Sequence, residues 1–263
     1  MIVDCHTHID FSEDGNGISE FLEASGAVDK CIVLARPGKA EEVNDRLSEC
    51  VKEHKLKITG FAFVDPTAQP ITKKELSSIT RKKDLSGVVV YCSACKFHPA
   101  DSRAMLLYEA AETLNLPVFF HNGPVLASDA TLEYAQPILI DEIARTFKEL
   151  KIIIGDMGAP FVEQTLAIIS KHPFVYADLT IRQDCIWQVY NMVVSAYENK
   201  VMDKLLFGSG FPLGRAQKSI EILLGFNKML IGANLPSVPR AEIHDFLEKD
   251  ALAALGIKEP NSK

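Results

Sequence analysis

The chain has 263 residues, 47% of them hydrophobic and 24% charged, and 28 Lys and Arg against 35 Asp and Glu give it a formal net charge of −7. That acidity argues against a nucleic-acid backbone or an anionic membrane surface as partner, and no apolar run approaches the roughly 18–20 residues of a membrane span. The length suits a single domain with a large core, and six cysteines spread through apolar segments read as reduced, mostly buried thiols rather than a disulfide framework.

Taken in chain order, apolar runs bounded by turn residues alternate with amphipathic stretches. "IVDCHTHI" reads as a strand followed by a short helix in "ISEFLEASG", and "KCIVLARP" as a second strand before the helical spacing of "KAEEVNDRLSECVKEHK". The pattern repeats with "ITGFAFVDP" and "TKKELSSITRKK", then with "SGVVVYCSA" and "SRAMLLYEAAETLN". "PVFFHNG" is followed by a long loop and "LIDEIARTFKEL", and "KIIIGDMG" by "FVEQTLAIISKH". "FVYADLTI" precedes "CIWQVYNMVVSAYENK", and "KLLFGSGFP" precedes "AQKSIEILLGFNKML". A further helix in "RAEIHDFLEKDALAALG" closes the chain.

Continuous apolar strands such as "GVVVY" and "KIIIG" suit parallel strands buried on both faces. Eight strand–helix units in about 250 residues is the count of a (β/α)8 barrel, here with an extra C-terminal helix. A doubly wound open sheet is the structural alternative. No Pro/Gly/Ser-rich linker or charge block divides residues 1–263, so one domain is expected. The N-terminus has no basic stretch leading into an apolar run and cleavage site, which reads as cytoplasmic.

In a parallel barrel the active site lies at the carboxyl ends of the strands. The polar residues there are His6 and His8 on strand one, Asp65 on strand three, Cys92 with Lys96 and His98 beyond strand four, His121 on strand five, Asp156 on strand six, Asp178 on strand seven and Ser209 on strand eight. Residues i and i+2 of a strand share a face, roughly 6.6 Å apart, so His6 and His8 can converge on one ion. Asp4 falls on the same face, for an inner-barrel role beside the pair. Imidazole suits zinc, iron, nickel or copper, and His121 from another strand would complete a three-nitrogen face with a position left open. The competing reading is three separately hydrogen-bonded interior histidines.

Two other motifs carry weaker chemistry. Cys92, Cys95 and His98 form a C-x2-C-x2-H run, half a structural zinc site with no partner pair nearby, and buried free cysteines are the plainer reading. "FGSGFPLGR" could cradle a phosphate between backbone amides, Arg215 and Lys218, but its glycines match no phosphate-binding fingerprint and a tight turn explains them.

"IVDCHTHI", "CKFHP", "LPVFFHNG", "KIIIGDMGAPF" and "LLFGSGFP", in that order and spacing, resemble the amidohydrolase-related metal-dependent hydrolases. This is the branch that includes aminocarboxymuconate-semialdehyde decarboxylase and several lactone hydrolases. The resemblance runs through nearly the whole chain, "EKDALAALGI" matching the closing helix. It implies a (β/α)8 barrel, one divalent metal ion, usually zinc, and His6, His8 and His121 as its ligands. The Lys96 position resembles the lysine of a K-x-H-P motif, and Lys96, His98 and Arg36 are candidates to hold a carboxylate of the substrate. Asp178 matches a position whose role is chiefly structural.

The chain departs from the family pattern twice. Asp156 in "GDMG" stands where a histidine usually follows strand six, and Gly210 in "GSGFP" stands where an aspartate usually follows strand eight. Asp156 is the candidate to compensate, as metal ligand or general base; hydrogen bonding within its own turn is the alternative. The expected function is metal-dependent hydrolysis of a small organic molecule such as a lactone, amide or carboxylated compound. Kept beside it are decarboxylation of an unsaturated or aromatic acid, a metal-independent hydrolase, and a lapsed barrel that binds a small anion. Exposed helix faces in such barrels often pair, so a homo-oligomer is among the expectations.

Overall fold

The computed structural model of the protein describes residues 1–12, 17–121, 128–230, 232 and 234–258. Eight strands, β1 (Val3–Thr7), β2 (Lys30–Leu34), β3 (Ile58–Phe63), β4 (Leu85–Val90), β5 (Val118–Phe120), β6 (Ile152–Ile154), β7 (Val175–Thr180) and β8 (Leu205–Gly208), pair in sequence order and all in parallel. Between β8 and β1 the ring closes just past the end of β8. Thr7 and Phe211 form a parallel bridge, the His8 amide donates to the Phe211 carbonyl at 2.9 Å, and the Gly210 amide donates to the His6 carbonyl at 3.0 Å. The (β/α)8 barrel expected from the unit count is the fold, and the open doubly wound sheet is excluded.

The central runs explain why the strands are where they are. Val88, Val89 and Val90, and Ile152, Ile153 and Ile154, are all fully buried. One side chain in two points into the barrel and its neighbour points out against the helices, so a strand here has no solvent face to make polar.

The helices α1 (Gly17–Ala24), α2 (Ala40–Glu53), α3 (Lys73–Arg81), α4 (Ser102–Leu114), α5 (Ile140–Thr146), α6 (Val162–Lys171), α7 (Ile186–Glu198) and α8 (Ala216–Leu224) follow the strands in turn. The Asp101 carboxylate accepts the Arg103 amide at 2.9 Å and starts α4, and Asn115, at φ 54°, ends it in the left-handed conformation that asparagine tolerates.

Three predicted helices are cut short. The segment after strand five stops being helical at Phe147, whose ring turns inward to within 6.3 Å of the Tyr108 ring. The one after strand eight gives way at Gly225 to a 3-10 turn over Phe226–Leu230. The closing helix is two pieces, α9 (Arg240–Leu247) and α10 (Ala251–Ala254), because the Asp250 side chain accepts the Ala253 amide at 2.9 Å and opens a new helix there. The cysteines behave as expected. All six are free, with Cys5, Cys31, Cys50 and Cys92 buried and Cys95 and Cys185 partly so. Among the described residues no helix is long and apolar enough to cross a membrane.

Candidate metal centre

β1 delivers Asp4 and His6 into the barrel, and His8 follows just beyond its end. All three are buried. His121, the residue after β5, meets them from across the barrel. Its Nε2 lies 3.0 Å from His6 Nε2 and 2.9 Å from His8 Nε2. Tyr91 stacks on the His121 ring at 4.5 Å between centroids, and the edge of Phe119 meets His6 at 5.2 Å. Tyr91 is in turn tied to β2 by its hydroxyl, which donates to the Ala35 carbonyl at 2.9 Å.

The outer nitrogens decide what the inner ones can do. His8 Nδ1 lies 2.9 Å from the Leu34 carbonyl, which can only accept, so Nδ1 carries the proton and Nε2 of the neutral ring is a lone pair. His6 Nδ1 lies 2.6 Å from Asp178 Oδ2, which fixes the neutral ring in the same tautomer. With His6 and His8 both neutral, as a bound cation requires, two lone pairs converge with His121 Nε2 on one small volume, and a single shared proton cannot satisfy three nitrogens. A cation can. Two nitrogens on one tetrahedral zinc, at about 2.0–2.1 Å each, stand roughly 3.3 Å apart, close to the separations here. The residues present fit a divalent ion.

On the far side of His6 is a carboxylate cluster. Asp178, on β7 and with no exposed side-chain surface, accepts from His6 Nδ1, from the Asp156 amide at 2.9 Å and from the Thr180 hydroxyl at 3.0 Å. Thr180 Oγ1 also lies 2.9 Å from His6 Nδ1. The Asp156 carboxylate reaches to 3.8 Å from the same nitrogen and keeps 26% of its side chain exposed. Its "GDMG" segment is a 3-10 turn in which Asp156 and Met157 are both left-handed, at φ 52° and 51°. Asp156 thus approaches the outer nitrogen of His6, not the nitrogens that converge.

Strand eight contributes space. A Cβ on Gly208 would stand 2.2 Å from Asp178 Oδ1 and 2.9 Å from His6 Cβ. Gly210, at φ 69°, has the Thr180 methyl where its own Cβ would be, 2.7 Å away. Ser209 supplies its amide to Asp4 Oδ1 at 2.9 Å, leaving Asp4 Oδ2 without a partner among the described residues.

The electrostatics follow from this crowding. Burial raises the Asp4 carboxyl to about 6, with Ser209 and His6 acting against it. Burial also opposes charge on His6, but Asp178 and Asp156 outweigh it and lift the imidazole to about 9. Burial and then the neighbouring His6 lower His8 to about 3. The protein packed around Asp156 raises its carboxyl, with the charge of His6 pulling the other way.

Of the residues singled out in the sequence, His6, His8 and His121 converge, and Asp156 reaches only the outer nitrogen of His6. Arg36 is near enough for its charge to bear on His8, and Lys96 and His98 lie beyond the end of β4. The Arg36 guanidinium, 41% exposed, lies 3.6 Å from Asp10. Lys96 is exposed and left-handed at φ 58°. His98 accepts the Ala100 amide at 3.0 Å and meets Tyr134 edge-on at 5.8 Å. Among the described residues Cys92, Cys95 and His98 form no metal-binding group. Thr180 and Tyr91 were not singled out, and Asp178 turns out to touch His6 directly. The signal for the strand-seven pair was its i, i+2 spacing in "DLT", the same rule that picks out His6 and His8.

Residues 3–257 match the family model described as amidohydrolase, and the chain belongs to that family, as its five motifs suggested. No protein of curated function matches the chain. Similar solved structures share its fold at low identity. A probable 2-pyrone-4,6-dicarboxylic acid hydrolase from Acinetobacter baumannii, with citric acid bound, is 12% identical over 97% of this chain and 99% of its own, with a TM-score of 0.68. A dihydroxybenzoic acid decarboxylase from Polaromonas sp. JS666, with bound manganese and the inhibitor 2-nitroresorcinol, is 14% identical over 97% of this chain and 96% of its own, with a TM-score of 0.68. The 5-carboxyvanillate decarboxylase of Sphingomonas paucimobilis is 12% identical over 98% of this chain and 99% of its own, with a TM-score of 0.67.

Proposed function

We propose that the protein is a divalent-metal-dependent hydrolase of a small carbonyl compound such as a lactone, an amide or a carboxylated molecule. The observation that carries this reading is the convergence of His6, His8 and His121 through Nε2 atoms 2.9 and 3.0 Å apart. These three residues would hold the ion, with zinc the first candidate because imidazole nitrogens suit it. A divalent ion held there supplies Lewis acidity toward a carbonyl oxygen or a water molecule.

The remaining chemistry belongs to the chain. Asp156 is the proton acceptor in this reading: its carboxyl is raised by burial, a quarter of its side chain stays exposed, and it lies 3.8 Å from the outer nitrogen of His6. Asp178 holds the His6 ring. Arg36, Lys96 and His98, on the loops after β2 and β4, are the groups to hold a substrate carboxylate.

A second reading is decarboxylation of an unsaturated or aromatic acid. It is supported by the two decarboxylases of the same fold. A screen of the zinc- and manganese-loaded protein against lactones, amides and aromatic carboxylic acids separates the readings, because hydrolysis releases an acid or amine and decarboxylation releases carbon dioxide. Asp156→Asn is expected to lower turnover by about 10²–10⁴-fold with metal content unchanged; turnover at the wild-type rate would remove Asp156 from the chemistry. Metal bound without turnover of any such compound would leave the anion-binding barrel as the better account.

A further inference from the structure

Strand seven brings a carboxylate to the outer nitrogen of His6. Asp178 is fully buried, and each of its contacts is a donor pointing at it: His6 Nδ1 at 2.6 Å, the Asp156 amide at 2.9 Å and the Thr180 hydroxyl at 3.0 Å. Its place is kept by glycine on the next strand, since a Cβ on Gly208 would stand 2.2 Å from Asp178 Oδ1. A side chain on Gly210 would meet the methyl of Thr180, the residue that hydrogen-bonds Asp178, at 2.7 Å. The left-handed turn at Asp156 sends its amide toward the carboxylate. Four separate local choices, at Gly208, Gly210, Thr180 and Asp156, serve one carboxylate.

We propose that Asp178, held by Thr180 and the Asp156 amide, is the positioning residue that locks His6 with its proton on Nδ1 and so aims the Nε2 lone pair at the cation. Strand seven here carries the support for the metal site. The Asp178 carboxylate accepts one N–H from the ring and gives nothing back; with that proton on the outer nitrogen, the inner nitrogen is left as a donor of electrons. This inference rests on the metal-binding reading above and adds the residue that makes His6 competent within it.

The test is zinc binding by the whole chain, with zinc alone as probe, measured by competition with a chelator. Asp178→Asn can present an N–H to His6 Nδ1, which favours the opposite tautomer, and it is expected to raise the zinc dissociation constant about 10–100-fold. Thr180→Val removes one donor from Asp178 without removing the carboxylate and covers the case in which the buried asparagine impairs folding. It is expected to weaken zinc in the same direction by a smaller factor. In zinc-loaded protein with 15N-labelled histidine, the His6 Nδ1 proton is expected far downfield in the wild type and displaced upfield in both variants, a signature that a purely structural role would not move. Equal zinc affinity and an unmoved Nδ1 proton in both variants would overturn this inference alone. Wild-type protein that takes up no zinc would overturn it together with the metal-binding reading.

Discussion

Two histidine–aspartate pairs, one inside the barrel and one outside, use the same hydrogen bond to different ends. Inside, His6 and Asp178 meet at 2.6 Å with side chains 4% and 0% exposed. Outside, His172 Nε2 and Asp141 Oδ1 meet at 2.8 Å with side chains 11% and 22% exposed, where the end of α6 passes α5. Asp141 also takes Lys171 at 2.6 Å and Arg145 at 2.9 Å, so it sits among cations near water. Asp178 has one ring, one amide and one hydroxyl, and its side chain is fully buried. The outer aspartate fastens two helices, and the inner one fixes the direction of a lone pair. Position in the dielectric, not residue type, separates fastening from function.

The largest effect is expected at the inner pair. His6→Ala is expected to lose both the bound metal and turnover, read by elemental analysis beside a substrate assay, whereas His172→Ala is expected to keep both. If His6→Ala retained a full equivalent of metal, the inner pair would be structural, like the outer one. Gly208→Ala comes next. Its methyl has to displace a carboxylate pinned by three donors, at an expected cost of about 1–3 kcal/mol in chemical denaturation, with weakened metal binding alongside. A stable, metal-competent Gly208→Ala would show that Asp178 can move.

Gly210→Asp restores the residue usual in the family at that position. The Thr180 methyl and the left-handed backbone stand against it, so a loss of about 1–2 kcal/mol is expected, without any gain in turnover. Increased turnover would mean that a strand-eight carboxylate can still act in this barrel.

The smallest effect belongs to the outer pair. Lys171, then His172 and Arg145, hold the Asp141 carboxyl well below the usual carboxylate range. A folded value below the unfolded one stabilises the protein above the unfolded value, near 3.8, and that stabilisation is lost as pH falls through the folded one. Solvent screening keeps the effect small, so Asp141→Asn is expected to cost about 1 kcal/mol at neutral pH. The difference from wild type should shrink as acid denaturation profiles pass below about pH 4.

How much of this was legible in the sequence differs from element to element. "GVVVY" and "KIIIG" announce parallel strands because a barrel strand is buried on both sides and has to be apolar throughout. The ends of helices were less legible. Phe147 leaves α5 for a pocket beside Tyr108, and Asp250 splits the closing helix by capping α10. In both cases a packing partner or a side-chain hydrogen bond outweighs helical spacing that by itself runs on.

The histidines divide the same way. That His6 and His8 share a face, and that His121 ends an apolar strand, follows from a repeat of two and from strands ending at one rim; local geometry determines it, so the sequence by itself carries it. That His121 meets His6 across 115 positions, and Asp178 meets it across 172, was decided by closure of the barrel. So was the place of Asp156, drawn by a left-handed turn to the outer nitrogen of His6, and the room that Gly208 leaves for a carboxylate one strand away. Side-chain spacing along a strand is set by the covalent chain. Which nitrogen faces which oxygen is set by the ring of strands around them, and the tertiary structure alone settles that.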